Sequence, residues 1–493
     1  MTDYRNITTG LVSLYLLSCS GVAQAAPLAP SHAYMPARTI SWVGGTLDLT
    51  LSDAIYLGLR DNRSIRSVYL ERIAQKFDLR VEEDRFTPKL TLSGRQVAYR
   101  NQSDRYRQAE LLPQTTWQTP SGARFSMAWS NQLSVANGAG RARNDGATFS
   151  VIQPLLRGAG REVSTAPLRL ARLGEQLNKL NLKATVSDAI TQIILAYREL
   201  LRAQAQLQIA NDALLRSRHF LEANQAMIAA GRMAAFERVQ SEADVASQEL
   251  AVEQAINQLD AARLGLLHLL ALSLNTSVRA VDTLAPQRID IPLAQALNAA
   301  REQQPNYLMQ LIAREQADIN LRLADNEQQW DVSLIGGATQ VRDRYREAGE
   351  RKTERSWEGY AGVQIDIPIN DLSRRQAKVR AQVQVANQLI RVADSRQLLE
   401  RDVENAVRDL NARWRQYEIA ERARDLSRRK LDIEREKLTA GRSSNFQVIS
   451  FETDLRGAES TRLDALIAYF NAQSTLDQHL GTTLASWDIE LND

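Results

Sequence analysis

Cysteine is almost missing from this sequence: Cys19 is the only one, so no disulfide can form within the chain. Histidine is nearly as scarce. His32, His219, His268 and His479 are the full set, and none pairs at the spacing a metal site needs. No Walker-type phosphate loop occurs, so no nucleotide site is expected. Gly138-Ala139-Gly140 and Gly158-Ala159-Gly160 read as loop glycines, and Glu82-Glu83 as a solvated helix face. No acid, base and nucleophile gather into a catalytic pattern. The expectation is therefore a non-enzyme without cofactor or metal. Neither sign of charge dominates: 61 basic and 58 acidic residues leave a net charge of +3. No basic block suggests nucleic acid. Beyond the leader, no run approaches the roughly 18 apolar residues of a spanning helix. Any membrane insertion must then use β-strands, because lipid accepts only helices and closed barrels.

Proline is absent where its absence matters most. The twelve prolines pause at Pro167, resume at Pro286 and end at Pro368. Proline costs about 3 kcal/mol inside a helix. Residues 168–285 and 369–493 therefore read as long helices, each rich in alanine, leucine, glutamine and arginine. The start of the chain is different. Residues 1–25 read as a secretory signal peptide, with an apolar core at Leu11–Leu17 after Arg5. Ala23-Gln24-Ala25 supplies the small-x-small cleavage pattern. Lipidation at Cys19 is the other processing route, and both send the chain across the inner membrane.

The sequence is written twice. Residues 51–94 match 293–336 without a gap, from Leu51 against Leu293 to Gly94 against Gly336. Val151-Ile152-Gln153-Pro154 matches Ile365-Asp366-Ile367-Pro368, and Ala189-Ile190 with Tyr197 matches Ala406-Val407 with Trp414. Ala230-Gly231-Arg232, Phe236, Glu242 and Asp244 match Ala440-Gly441-Arg442, Phe446, Glu452 and Asp454. Four matches in one order predict two structural repeats. The first covers 47–284, with a helix, a β-region at 88–154 and a long α-hairpin turning near 231. The second covers 289–485, with a helix, a β-region at 331–368 and an α-hairpin turning near 441.

Inside the helices the apolar steps alternate four and three: Leu182, Val186, Ala189, Ile193, Ala196, Leu200, Ala203, Leu207, Ala210 and Leu214. That is the period of a coiled-coil seam. Alanines along it let helix axes approach closely. A looser stripe runs through Val379, Val383, Ala386, Ile390, Ala393, Val403, Ala406, Leu410, Trp414 and Tyr417. About 60 helical residues extend roughly 90 Å, and such helices need partners along their length.

Between the helices the period becomes two. Trp357, Gly359, Ala361, Val363, Ile365 and Ile367 alternate with polar neighbours, as do Phe125, Met127 and Trp129. Leu90 and Leu92, then Val332 and Leu334, open similar runs. One apolar and one polar face suits a barrel wall between lipid and a wet lumen. Residues 342–355 are too charged for lipid and read as an external loop. Around Thr115–Trp117 and Pro120-Ser121-Gly122, the first region holds either an extra hairpin or one long bent crossing. Four strands per chain cannot close a useful barrel, whereas three chains would supply twelve.

In order and duplication, these features resemble the TolC-type outer-membrane channel proteins, the outer membrane efflux protein family, over about 47–485. The marks are Leu293, Ala296 and Pro305; Leu51 and Ala54, with Arg63 in the proline position; and Gln153-Pro154-Leu155-Leu156-Arg157-Gly158. The Ala-Gly-Arg turns, Leu480-Gly481 and Trp487 complete them. The resemblance implies a mainly α protein with membrane β: a homotrimeric, twelve-stranded β-barrel continued by a twelve-helix periplasmic α-barrel. It implies a passive exit duct in the cell outer membrane, in contact with its lipid, with a long periplasmic portion. It would serve a tripartite efflux or type I secretion system. Its partners would be a periplasmic membrane-fusion adaptor and an inner-membrane transporter of RND or ABC type. Gly231, Arg232, Phe236, Glu237, Gly441, Arg442, Phe446, Gln447 and Ser450 would then line the periplasmic entrance or touch the adaptor, or the two phenylalanines would simply pack the turns. Where relatives carry constricting aspartates, this chain has Gln447 and Ser450, with Glu237 and Gln240 in the first copy. An acidic constriction would have to come from Glu237, Glu242 and Glu452. The alternatives are a periplasmic membrane-fusion adaptor, which should have one α-hairpin rather than two, and an exported structural coiled coil.

Overall fold

The computed structural model describes residues 42–491, apart from 44, 101, 103, 104, 137–139, 348, 349 and 370. The expected leader, Cys19 and His32 lie outside the described residues. The described chain opens with β1 (Trp42–Val43) and β2 (Thr46–Leu49), then α1 (Leu51–Asp61) and α2 (Arg63–Glu83). Thr50 and Asp53 form a reciprocal capping box at α1, satisfying donors the first turn leaves free. Asn62 caps α2, its Oδ1 accepting from Ser64 N at 2.9 Å and Ile65 N at 3.2 Å. Strands β3 (Lys89–Arg100), β4 (Arg105–Gln118), β5 (Arg124–Ala136) and β6 (Gly140–Pro154) follow. Short α3 (Arg161–Ser164) leads into α4 (Ala166–Ala229), with Pro167 in its first turn, where a missing N–H is harmless. Next come α5 (Glu237–Leu269), β7 (Ser277–Ala280), α6 (Leu293–Gln303) and α7 (Pro305–Glu327). The rest is β8 (Asp331–Glu347), β9 (Glu350–Asp366), α8 (Leu372–Thr439), α9 (Asn445–Leu480) and α10 (Thr483–Ser486). At 1.5 Å per residue, α4 and α8 are each about 100 Å long.

Helices this long survive because others lie beside them. Leu182, Val186, Ala189, Ile193, Leu200, Ala203 and Ala210 of the predicted α4 seam are buried. The main core joins all of these but Ala210 to Leu49 of β2, Ile55 and Leu57 of α1, Leu266 and Leu267 of α5 and Val278 of β7. β2 and β7 pair in parallel, extended by β1; the sequence reading had not marked this small sheet. A second core joins Ala296 and Ala300 of α6 to Val403 and Leu410 of α8 and Tyr469 and Leu476 of α9. Near the strands, α2 packs on α4, α4 on α7 and α7 on α8. Further along, α5 packs on α4, α4 on α9 and α9 on α8. Four helices thus stand abreast at each level. The expected α8 stripe needs correction. Val403, Ala406, Leu410 and Tyr417 are buried, but Val379, Val383 and Ile390 are exposed. They sit on an outermost helix of the four, with no neighbour in this chain to cover them. Leu70, Ile73, Phe77 and Val81 on the opposite outer helix, α2, are exposed for the same reason.

The remaining strands form one antiparallel sheet in the order β3-β4-β5-β6-β8-β9. Among the described residues the chain therefore contributes six strands to this sheet, not the four from which twelve were expected. The undecided segment is an extra hairpin, β4–β5, made by the turn at Thr119–Ala123. Thr119 Oγ1 accepts the Ala123 N–H at 3.0 Å. Gly122 takes φ +96, and a Cβ there would lie 2.6 Å from the Gly158 carbonyl oxygen. Residues 342–355 are a second correction. Residues 342–347 and 350–355 are not loop but the outer ends of β8 and β9, paired from Arg342↔Arg355 to Glu347↔Glu350. Their charge alternates with the pleat, so a ladder can run through it.

Directly opposed residues share a face, so the register sorts the sheet. One face carries Leu90, Leu92, Leu111, Trp117, Phe125, Met127, Trp129, Phe149, Val151, Leu334, Trp357, Val363 and Ile365. The other carries Thr91, Ser93, Gln108, Gln114, Ser126, Ser130, Gln132, Thr148, Ser150, Ser333, Thr339, Glu358 and Gln364.

Glycine at two helix ends gives a graded prediction. Gly441 and Gly481 both have φ near +70, at +69 and +75. A Cβ at Gly441 meets nothing, whereas one at Gly481 would lie 2.5 Å from the Gln303 carbonyl oxygen. Gly441→Ala should cost about 1 kcal/mol, from left-handed strain alone, and Gly481→Ala roughly 2–3 kcal/mol. Thermal melting of the detergent-extracted protein, followed by helical circular dichroism, should show the larger drop for Gly481→Ala.

Candidate functional site

The expected site lies where each long helix hairpin turns. Both turns are built alike. After α4, Gly231 (φ +71) donates to Ile228 O at 2.9 Å and Arg232 N to Met227 O at 2.9 Å. After α8, Gly441 donates to Leu438 O at 2.9 Å and Arg442 N to Lys437 O at 2.8 Å. This double closure satisfies the last carbonyls of a helix and requires a left-handed residue, hence the glycine. Ser444 then starts α9, its side chain accepting from Gln447 N.

Gly231, Arg232, Gly441 and Arg442 are exposed, while Glu237, Gln447 and Ser450 are half-buried. Phe236 is 70% exposed and Phe446 66%. The phenylalanines therefore do not pack their own turns. Each follows its glycine by five residues and stands free at the end of the bundle.

The structure brings the two tips together. Asn445 is buried, and its Nδ2 donates to Glu237 Oε2 at 3.1 Å and faces Met233 Sδ at 3.3 Å. Ser443 Oγ donates to Glu434 at 2.6 Å. That bond, and a second from Lys437, hold the Glu434 carboxyl below the usual range. Below the tips, Glu452 joins the two hairpins. It accepts from Arg216 Nε of α4 at 3.0 Å and also pairs with Arg435 of α8. Arg216 lies 3.7 Å from Glu459, which Arg428 also holds, at 2.9 Å.

These pairings revise the expected acidic constriction. Glu452 is mostly buried between two arginines, Glu242 is bound by Arg238 at 2.7 Å, and Glu237 is engaged by Asn445. None of the three is an unpaired carboxylate. Among the described residues, no group of His, Cys, Asp and Glu could hold a metal ion. Sequence reasoning missed Asn445, Met233, Arg216 and Arg435. Asn445 and Glu237 are far apart in the chain, and no local spacing signals their contact. The repeated Phe and Gly positions were legible because each belongs to a local turn.

Glu452 gives the second prediction. A hydrogen bond to a charged group is worth about 1.5–3 kcal/mol. Glu452→Gln should free α9 from α4 and speed proteolytic cutting at residues 230–236 and 440–444. Cutting at both tips at the wild-type rate would show that Glu452 does not hold the hairpins together.

No protein-family model and no curated protein matches this sequence. Solved structures do. The Campylobacter jejuni CmeC outer membrane channel aligns with TM-score 0.66 and 12% identity, over 87% of this chain and 85% of that one. CusC aligns with TM-score 0.68 and 15% identity, over 88% and 92%. The open state of the Neisseria gonorrhoeae MtrE outer membrane channel aligns with TM-score 0.64 and 15% identity, over 87% and 88%. The paired hairpins, the tall sheet and these superpositions together give this chain the fold of the TolC-type outer-membrane channels.

Proposed function

We propose that this chain is the outer-membrane channel of a tripartite efflux or type I secretion system, a passive duct formed by three copies. The observation that carries the reading is the six-stranded sheet, apolar on one face and polar on the other, with both edge strands unpaired. Hydrocarbon does not tolerate open edges. Six is an even number, so β9 of one copy can meet β3 of the next antiparallel. The helices offer matching edges. α2 continues into β3 and α8 follows β9, and both carry exposed apolar stripes. One contact between copies would therefore close strands and helices together. Residues 47–284 and 289–485 act as tandem repeats, each pairing a stretch of wall with a helical hairpin.

Three copies supply twelve helices abreast and eighteen strands. Twelve helices at roughly 9 Å spacing make a ring of roughly 17 Å radius. Eighteen strands roughly 4.8 Å apart, tilted by roughly 40°, make a barrel of roughly 18 Å radius, against roughly 12 Å for twelve strands. The extra hairpin thus lets the β wall meet the helical ring without a taper. The tips, with exposed Phe236 and Phe446, would face the periplasm. There they would meet a membrane-fusion adaptor and an inner-membrane transporter of RND or ABC type. A lone adaptor or an exported coiled coil gives the apolar face no lipid to contact.

Full-length protein extracted in detergent should run as a heat-modifiable trimer and conduct ions in a planar bilayer. A water-soluble monomer that neither inserts nor conducts would end this reading. Phe236→Ser with Phe446→Ser should leave conductance near wild type and weaken export in cells by about tenfold; unchanged export would remove the tips from the docking surface.

A further inference from the structure

The outer ends of the strands sort their charges by face. On the face that carries Trp129 and Trp357, the rows beyond the apolar band hold ten arginines. They are Arg100 on β3, Arg105 and Arg107 on β4, Arg141 and Arg143 on β6, Arg342, Arg344 and Arg346 on β8, and Arg351 and Arg355 on β9. Among the described residues, Asp145 is the sole acid on that face. The opposite face holds Glu110, Asp343, Glu350 and Glu354 at similar heights, with Arg95 and Lys352.

A second observation makes this more than a solvated rim. Arginine stands directly opposite arginine in four ladder positions: Arg100↔Arg105, Arg143↔Arg344, Arg342↔Arg355 and Arg346↔Arg351. Like charges facing across a ladder destabilise it. Asp145 meets part of this excess, reaching Arg143 at 2.9 Å and Arg344 at 3.7 Å, and Arg105 has a partner of its own. Exchanging any of these arginines with an acid of the other face would relieve the repulsion, yet the pleat keeps the signs apart.

The boundary follows the wall. On β6, β8 and β9 the first charge beyond the apolar band is Asp145, Arg342 or Arg355, all in one register row. On β4 and β3 it is Arg107 and Arg100, two and three rows further out. Three rows are roughly 20 Å along the strands and five strand spacings roughly 24 Å across them, a slope of roughly 40°. Barrel strands tilt by about that angle. Once the strands are tilted by that angle, the two edges of the sheet bring their first charges to one height.

We propose that this arginine belt binds the phosphate groups of anionic lipid headgroups in the outer leaflet, and that these phosphates neutralise the opposed arginine pairs. The proposal rests on the reading that the apolar face meets lipid. Arginine suits the task, because its planar fork donates two parallel hydrogen bonds to a phosphate. The belt lies just beyond the apolar band, at headgroup depth, and the strands leave it exposed apart from the half-buried Arg342.

The test uses the full chain in phosphatidylcholine vesicles, with and without lipid A, a diphosphorylated glycolipid. One variant carries Arg342→Gln, Arg344→Gln, Arg351→Gln and Arg355→Gln, all outside the apolar band. A control carries Arg95→Gln and Lys352→Gln on the opposite face. Wild type and control should retain lipid A through detergent washing and melt at a higher temperature with it. The four-arginine variant should retain about tenfold less and match wild type in phosphatidylcholine alone. Equal retention by that variant, or equal loss by the control, overturns the belt. So does a melting shift that inorganic phosphate alone reproduces. Insertion and conduction in phosphatidylcholine without any lipid A preference would sink the belt and leave the channel reading standing. Failure to enter either vesicle would sink both.

Discussion

A strand that ends a sheet carries a row of unpaired N–H and C=O groups, and hydrocarbon supplies nothing to pair them. Most of this architecture follows from that constraint. β3 and β9 are long and unpaired within the chain. Their polar backbone is tolerable in lipid only if another edge meets it. The helices repeat the condition in another form. α2 and α8 flank the four abreast, and their outward apolar residues, Phe77 and Ile390 among them, are uncovered. One side of the chain ends in α2 and β3, the other in α8 and β9. In the proposed assembly the backbone demand of the sheet and the side-chain demand of the helices are met by the same neighbour.

The pleat does the second part of the work. Alternation places Trp129 and Ser130 on opposite faces, and the ladder carries that choice across all six strands. Continued past the apolar band, it separates arginines from acids just as it separated apolar from polar residues. The wall therefore presents one surface that is apolar and then arginine-rich, and another that is polar and then acidic. No single side chain carries this property, which belongs to the register. At the far end the logic is different. The tips are held by particular bonds, Asn445 to Glu237 and Glu452 to Arg216 and Arg435. Charges that sequence reasoning would assign to a lumen are used to tie the hairpins together.

Much of this was legible in advance where the signal is local. The proline-free stretches are the long helices because proline breaks helices wherever the helix lies. Gly231 and Gly441 mark the turns because a left-handed residue is needed at each helix end. The switch to period two located the sheet. What misled was composition read without register. Residues 342–355 look like a loop when their charges are counted and like a strand once they are seen to alternate. The β4–β5 hairpin stayed undecided for a related reason, since Pro113 interrupts the pattern and hides two crossings in one irregular run.

The sequence alone determined the long helices, their doubled order and the helix turns. These rest on backbone preferences and side-chain periodicities that act within a few residues. Tertiary structure alone decided that six strands share one sheet, that Val379 and Val383 lie at an edge rather than in a seam, and that Glu452 is held between two arginines. Each of these depends on which distant segments come to lie side by side, and no local spacing encodes a neighbour two hundred residues away.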